Sequence, residues 1–205
     1  MNWVKSIRQG TDAVGRTFEH LLGQEENSLE IADFRGIEIK TKRSYTKSHI
    51  GLFNMTPIGK NYHEIERIRD TYGYKSSQLN YYKVLNNSVY CNKRTFIGVR
   101  YQFMLKIDWK EEKIYLCIFD SAGVLLEKDV YWDFDTVKEK LYRKLKVIAF
   151  VKAHTKFINK IEYFKYYDMK LYVLKDFKTF VSLIERGIIR INFKISVFKS
   201  GRRKG

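Results

Sequence analysis

Three residues near the amino terminus have the types and the spacing of a metal-dependent hydrolytic site. Asp33, Glu38 and Lys40 fall in the short run Asp-Phe-Arg-Gly-Ile-Glu-Ile-Lys. On a strand, Glu38 and Lys40 would point to the same face, roughly 6–7 Å apart along the backbone. A turn or a bulge at Gly36 would bring Asp33 back beside Glu38. Two carboxylates can hold a divalent cation, and a neighbouring ammonium group can assist a water that attacks a substrate.

A strand and a helix are expected to position these residues. Apolar and polar residues alternate over residues 37–42, which is the period of a half-buried strand. An ordinary strand with a charged outer face would show the same pattern, so the spacing alone leaves both interpretations open. Apolar residues at helical spacing predict a helix over residues 13–22, with Gly23 placed to end it. Glu19 borders the apolar stripe of this helix, so it either faces the site or is solvated.

Composition indicates a globular chain with a substantial core. The 205 residues are 44% hydrophobic and include one proline, which excludes a disordered low-complexity protein. No apolar run is long enough to span a bilayer, and the first residues lack the apolar core of a signal peptide. The two cysteines have no metal-binding spacing, and neither a Gly-rich phosphate loop nor a zinc-type histidine pattern is present. We therefore expect a cytoplasmic protein with reduced thiols and no membrane association.

The charge of the chain predicts a polyanionic partner. Its formal net charge is +16. Residues 138–205 contain 19 Lys or Arg and 5 Asp or Glu, whereas residues 1–137 contain 20 and 18. A strongly basic half favours nucleic acid over a membrane surface, because no amphipathic lysine-rich helix dominates. The candidate DNA contacts are Lys42, Arg43, Lys47, His49, Arg202 and Arg203.

The remaining pattern is that of a mixed α/β chain. Helices are predicted at residues 63–72, at 177–186, and from Asp133 or Asp135 to about residue 145. Strands are predicted at residues 101–108, 113–120, 124–131, 146–152 and 188–198, the first two forming a β-hairpin. Residues 86–88 read as a polar turn, and residues 161–174 alternate too poorly to assign.

Several stretches together resemble the MvaI/BcnI family of type II restriction endonucleases, which is similar to the mismatch-repair nickase MutH. The amino-terminal resemblance lies in Gly-Arg-Thr-Phe-Glu-His-Leu-Leu-Gly at residues 15–23, Glu-Asn at 26–27, and the run from Asp33 to Arg43. Tyr-Trp-Asp-Phe at residues 131–134 and the stretch 183–193 also resemble the family. The resemblance covers most of the chain.

This resemblance implies a fold and a catalytic site. The fold is the PD-(D/E)XK restriction-endonuclease-like fold, a mixed β-sheet flanked by helices, with a catalytic and a DNA-recognition lobe inside one domain of residues 1–205. Asp33 and Glu38 would ligate Mg²⁺, Lys40 would orient or activate the water, and Glu19 would support the site. The partner would be double-stranded DNA, nicked one strand at a time by a monomer, with a cognate DNA methyltransferase in the same system.

Two other functions fit the same residues. One is a DNA-binding protein of this fold without cleavage activity, and the other is a MutH-like strand-nicking repair endonuclease. In the family, the strand corresponding to residues 188–198 is followed by a His-Asp-His-Gly-like segment, and no such motif occurs in this sequence. Cleavage of duplex DNA in the presence of magnesium separates the nuclease from the binding protein. Nicks that never become double-strand breaks would indicate the repair enzyme.

Overall fold

The computed structural model describes residues 2–23, 34–47, 51–52, 54–59, 62–76, 82–197 and 203–204. Within these ranges the helices are α1 (Ala13–Leu21), α2 (Tyr62–Tyr72), α3 (Phe134–Lys144) and α4 (Phe177–Glu185). The strands are β1 (Val4–Lys5), β2 (Ile37–Arg43), β3 (Tyr74–Lys75), β4 (Lys83–Val89), β5 (Thr95–Ile97), β6 (Tyr101–Asp108), β7 (Lys113–Asp120), β8 (Leu125–Glu127), β9 (Tyr131–Asp133), β10 (Val147–Ile158), β11 (Ile161–Val173), β12 (Ile191–Val197) and β13 (Arg203–Lys204).

The chain divides into two compact units. Unit 1 consists of Met1–Leu52 and Lys138–Lys175, and unit 2 consists of Phe53–Val137 and Asp176–Gly205. Both units are built from two separate stretches of chain, so neither could be delimited by a single linker in the sequence. No helix in the described ranges is both long enough and apolar enough to cross a membrane.

Unit 1 is a sheet covered on one face by a helix. Its strand order is β1-β11-β10-β2, with a long antiparallel β10–β11 hairpin and β2 parallel to β10. Alternation along the strands sends every second side chain towards α1. The resulting buried core consists of Ala13, Val14, Phe18, Ile39, Val151, Ala153, Phe164 and Tyr166. The Tyr166 hydroxyl donates a hydrogen bond of 2.8 Å to the backbone oxygen of Val14 and ties β11 to α1.

Unit 2 contains two sheets and a core rich in aromatic side chains. One sheet has the order β13-β12-β4-β3, and the other has the order β5-β6-β7-β8 with β9 also paired to β7. Trp132, Phe103 and Phe193 are among its largest fully buried side chains. The Trp132 indole nitrogen donates a 3.0 Å hydrogen bond to the backbone oxygen of Met55, which satisfies its one polar atom.

The predicted elements agree with the structure where the periodicity is strong. The four predicted helices are present, and the predicted β-hairpin occurs as β6 and β7 with the predicted bounds. One expectation is wrong and one is confirmed only in part. Residues 86–88 lie inside β4 and pair with β12, and the strand predicted at 124–131 is reduced to β8 and the start of β9. Residues 161–173, which the sequence left unassigned, form the long strand β11. In β4, the polar side chains of Asn87 and Ser88 hydrogen-bond to Thr95 and Asn192, so strand pairing satisfies them.

Candidate active site

A two-residue turn leads directly into β2. The backbone of Phe34 and that of Ile37 exchange hydrogen bonds of 3.0 and 2.8 Å. Between them, Arg35 and Gly36 have φ values of 47° and 81°, the left-handed conformations that a type I′ turn requires. Gly36 adopts its conformation without a Cβ clash. The turn predicted at Gly36 is therefore present, whereas Asp33, the residue before Phe34, lies outside the described residues.

Glu38 is buried and lies between two lysines. Its side chain is 1% exposed, and its Oε1 accepts a hydrogen bond from the Lys40 ammonium group. The Lys144 ammonium group, at the end of α3, lies 3.6 Å from the same oxygen. The side chains of Lys40 and Lys144 are 21% and 25% exposed. Because water is excluded from the carboxylate, these ion pairs are stronger than the same pairs on the surface.

Strand alternation and parallel pairing explain this placement. Glu38 and Lys40 point away from α1, while Ile39 between them is 6% exposed and joins the core beneath the helix. Pairing with β10 sets Glu38 beside Ile148 and Lys40 beside Phe150. The predicted alternation is confirmed, but Glu38 is buried and does not belong to a solvated outer face.

Glu19 lies on the α1 side of β2. Its Oε2 accepts a 3.0 Å hydrogen bond from Arg16, and its side chain is 20% exposed. A Cβ at Gly15 would lie 3.1 Å from the Thr41 hydroxyl and 3.8 Å from the Glu19 Oε1, so α1 packs closely on this part of the strand. Thr41 and Glu38 alternate to opposite faces. The described contacts therefore do not bring Glu19 to Glu38.

Lys42 and Arg43, two of the candidate DNA contacts, have different environments. Lys42 is half-buried, shares the face of Lys40 and pairs in register with Lys152. Arg43 points to the other face, where its Nε and Nη2 donate hydrogen bonds of 2.7 and 2.9 Å to Glu162. Its Nη1 and Nη2 also donate to backbone oxygens of Thr11 and Gly10. The hydrogen bond to Glu162 raises the pKa of Arg43. These contacts favour a structural role, and a DNA contact of Arg43 stays a prediction.

The other candidate DNA contacts lie at the margins of the described structure. Lys47 is exposed. Arg203 belongs to β13, whose backbone pairs with β12 at Val197. His49 and Arg202 lie outside the described residues. These residues remain predicted contacts.

The donor chemistry at Glu38 fits a hard divalent cation. A carboxylate oxygen is the ligand that Mg²⁺ and Ca²⁺ prefer. Within the described ranges no group of three His, Cys, Asp or Glu side chains could hold a metal ion, and Asp33 is not part of those ranges. Lys144 is the site residue that sequence reasoning missed. It follows no motif and lies far from Glu38 in the chain, so only the packing of α3 could reveal it.

Comparison with known proteins assigns the chain to a family. The model of the MvaI/BcnI restriction endonuclease family matches residues 1–205. The chain belongs to the MvaI/BcnI family. The structure is similar to that of restriction endonuclease MvaI in complex with its cognate DNA substrate, with a TM-score of 0.84 and 33% identity. That match covers 98% of this chain and 81% of MvaI.

A second solved structure and the curated sequences complete the comparison. The structure of MvaI in the absence of DNA matches with a TM-score of 0.61 and 33% identity, covering 98% of this chain and 80% of that one. No curated protein sequence matches the chain. Membership of the MvaI/BcnI family confirms the mixed α+β restriction-endonuclease fold and makes the chain a DNA-binding endodeoxyribonuclease of a restriction system. Restriction endonucleases of this family generally use divalent metal ions.

Proposed function

We propose that this chain is a Mg²⁺-dependent, sequence-specific type II restriction endonuclease that hydrolyses phosphodiester bonds of duplex DNA. The observation that carries the proposal is the Glu38 carboxylate, buried on β2 beside the ammonium groups of Lys40 and Lys144. Since the Phe34–Ile37 pairing reverses the chain next to Asp33, it supports Asp33 as the second carboxylate of the site. In this assignment Asp33 and Glu38 hold the metal.

The residues around Glu38 would have separate roles in hydrolysis. A bound Mg²⁺ supplies Lewis-acid stabilisation of charge on the phosphoryl oxygens. The Lys40 ammonium group would donate a hydrogen bond to the attacking water or to a phosphoryl oxygen and thereby orient the attack. Lys144 adds a second positive charge on the same side of Glu38, where negative charge develops in the transition state.

The test compares three variants in single-turnover cleavage of a plasmid that the wild-type protein cuts with Mg²⁺. Glu38→Gln and Lys40→Ala should each lower the rate by about 10²-fold or more, which is roughly 3 kcal/mol in barrier height. Glu139→Gln is the matched control, because its carboxylate is 75% exposed on α3. DNA binding, measured with Ca²⁺ in place of Mg²⁺, should survive in all three. Full activity in Glu38→Gln or Lys40→Ala would overturn the assignment.

We further infer that the enzyme acts as a monomer and cuts the two strands in separate events. Its resemblance to the MvaI/BcnI family supports this inference. Sedimentation should therefore show a monomer at micromolar concentration, and a nicked plasmid should accumulate before the linear form. A stable dimer, or linear product without a nicked precursor, would contradict it. Because such an enzyme would also cut host DNA, we expect a cognate DNA methyltransferase to accompany it.

A further inference from the structure

We propose that the sheet face of unit 1 opposite α1 carries a track of lysines that binds the backbone of duplex DNA beyond the catalytic residues. The proposal rests on the proposed function, because the track begins at the Glu38–Lys40 pair. We define the lysine track as Lys42, Lys152, Lys165 and Lys170.

The two faces of this sheet have opposite chemistry. The face beneath α1 is apolar and buried, with Ala153 and Phe164 fully inaccessible to solvent. On the other face Lys152, Lys165 and Lys170 are exposed, and Lys42 is half-buried. A sheet face that a protein leaves open is commonly polar, and the charged residues of this face are mostly cationic.

Strand register arranges the exposed face in rows that start at the catalytic residues. Side chains of paired residues on adjacent strands lie side by side, and successive rows on one face are roughly 6–7 Å apart. The first rows are Glu38–Ile148–Tyr172 and Lys40–Phe150–Lys170, and the next are Lys42–Lys152–Asp168 and His154–Lys165. The lysine track is thus continuous with Lys40 along β2 and spreads across β10 and β11.

A β-bulge in β11 adds an aromatic platform to the face. The pairing of β10 and β11 shifts between Lys152 and Ala153, so that Tyr167 is an extra residue. Its ring stacks on His154 with centroids 4.1 Å apart and an interplanar angle of 13°. The Ser44 hydroxyl lies 3.4 Å from Nδ1 of His154 and links the end of β2 to the same row. Hydroxyl, imidazole and ammonium groups together suit phosphate oxygens.

Charge identifies the partner as a polyanion, and position identifies it as DNA. Beyond Glu38, the described rows contain one carboxylate, Asp168, which pairs with Lys152 at 3.0 Å. Ammonium groups bind phosphates in a sequence-independent way and set the position of a protein on its duplex. Because the rows continue from the residues proposed to cut a phosphodiester, the phosphates that flank the scissile one are the natural ligands of the track.

The experiment measures duplex DNA binding by the full-length protein in Ca²⁺ at several salt concentrations. The variant Lys152→Ala/Lys165→Ala should bind about tenfold more weakly, and its slope of log affinity against log salt should fall by about 2, nearly one per lost phosphate contact. Asp168→Asn should bind several-fold more tightly than the wild type, because it removes the carboxylate that competes with phosphate for Lys152. This opposite effect cannot arise from unfolding.

Two controls make the outcome decisive. Lys138→Ala/Lys175→Ala removes two exposed lysines of unit 1 that are not on the track, and should change affinity less than twofold. The cleavage rate of Lys138→Ala/Lys175→Ala at saturating enzyme should also equal that of the wild type. The lysine track would be overturned by an equal loss of DNA affinity in both double variants, or by an Asp168→Asn variant that binds DNA no more tightly than the wild type. It would also be overturned if the wild type bound polyglutamate as tightly as DNA. If the wild-type protein itself does not cleave DNA, that result counts against the proposed function and not against the track, since the binding comparison does not depend on cleavage.

Discussion

The Lys144 ammonium group at the end of α3 lies 3.6 Å from Oε1 of Glu38, the buried carboxylate of β2. Lys40 donates to the same oxygen, so two ammonium groups offset one carboxylate charge. A divalent cation held by Glu38 would therefore lie near two positive charges. We therefore expect Lys144 to stabilise the folded protein without metal but to oppose cation binding.

Replacing Lys144 by methionine should have opposite effects on stability and on metal affinity. Lys144→Met should lower the free energy of unfolding in EDTA by about 1 kcal/mol, because Lys40 still pairs with the buried Glu38. The affinity for Ca²⁺ should rise several-fold, because a nearby like charge is removed. Urea denaturation and calorimetric titration measure the two quantities. Weaker Ca²⁺ binding in Lys144→Met would show that Lys144 does not oppose the cation, whereas Glu38→Gln should weaken binding in any case.

Glu19 should affect catalysis less than Glu38 does. It contacts Arg16 on the α1 side of β2, so we expect Glu19→Ala to lower the cleavage rate by about tenfold, the range of a supporting residue. Its Ca²⁺ affinity should match that of the wild type. Glu19→Gln, which can still accept the Arg16 hydrogen bond, should recover most of the rate. A loss as large as that of Glu38→Gln, with weakened Ca²⁺ binding, would instead make Glu19 a metal ligand.

Arg43 should contribute to stability, and Lys42 to DNA binding. The side chains of Arg43 and Glu162 are each 10% exposed, so Arg43→Ala should cost about 3 kcal/mol by leaving a buried carboxylate without its partner. Arg8→Ala is the control, because the Arg8–Asp12 pair is exposed and should be worth less than about 0.5 kcal/mol. Lys42→Ala should leave stability nearly unchanged but reduce the salt slope of DNA binding by about 1. If Arg43→Ala instead reduced the salt slope and Lys42→Ala lowered the stability, Arg43 would be the DNA ligand.

Tyr72 should make unit 2 lose stability in alkali. Burial, together with the hydrogen bond to Glu127, raises the pKa of Tyr72 to about 12. Because the unfolded side chain ionises near pH 10, the neutral form stabilises the fold below pH 10, and this contribution is lost as the pH rises towards 12. The full loss is about 3 kcal/mol. Urea denaturation at pH 9 and pH 11 should therefore show a smaller decrease for Tyr72→Phe than for the wild type. Equal decreases would contradict the assignment.

The residues of the catalytic motif could be recognised in the sequence because their relationship is local. Asp33, Glu38 and Lys40 lie within eight positions of the sequence, and Gly36 together with the alternation of β2 is enough to predict the turn and the shared face of Glu38 and Lys40. The helix α1 and the β6–β7 hairpin were predictable for the same reason, since their periodicity and turn residues are properties of neighbouring positions.

Tertiary pairing decided what local patterns could not. Residues 161–173 become a strand because β10 offers them an antiparallel partner, although their own alternation is broken by the bulge at Tyr167. Parallel pairing of β2 with β10, in the register that sets Lys42 beside Lys152, creates the rows of the lysine track.

The order of motifs along the chain was enough to indicate the family, but it could not predict the environment of each charged side chain. The sequence determined which residues are the candidates for the chemistry and that Lys42 and Arg43 alternate to opposite faces of β2. Only the folded chain decided that Arg43 meets Glu162 while Lys144 meets Glu38. The physical reason is that an ion pair depends on distance in space and on exclusion of water, and both arise when segments far apart in the sequence pack together.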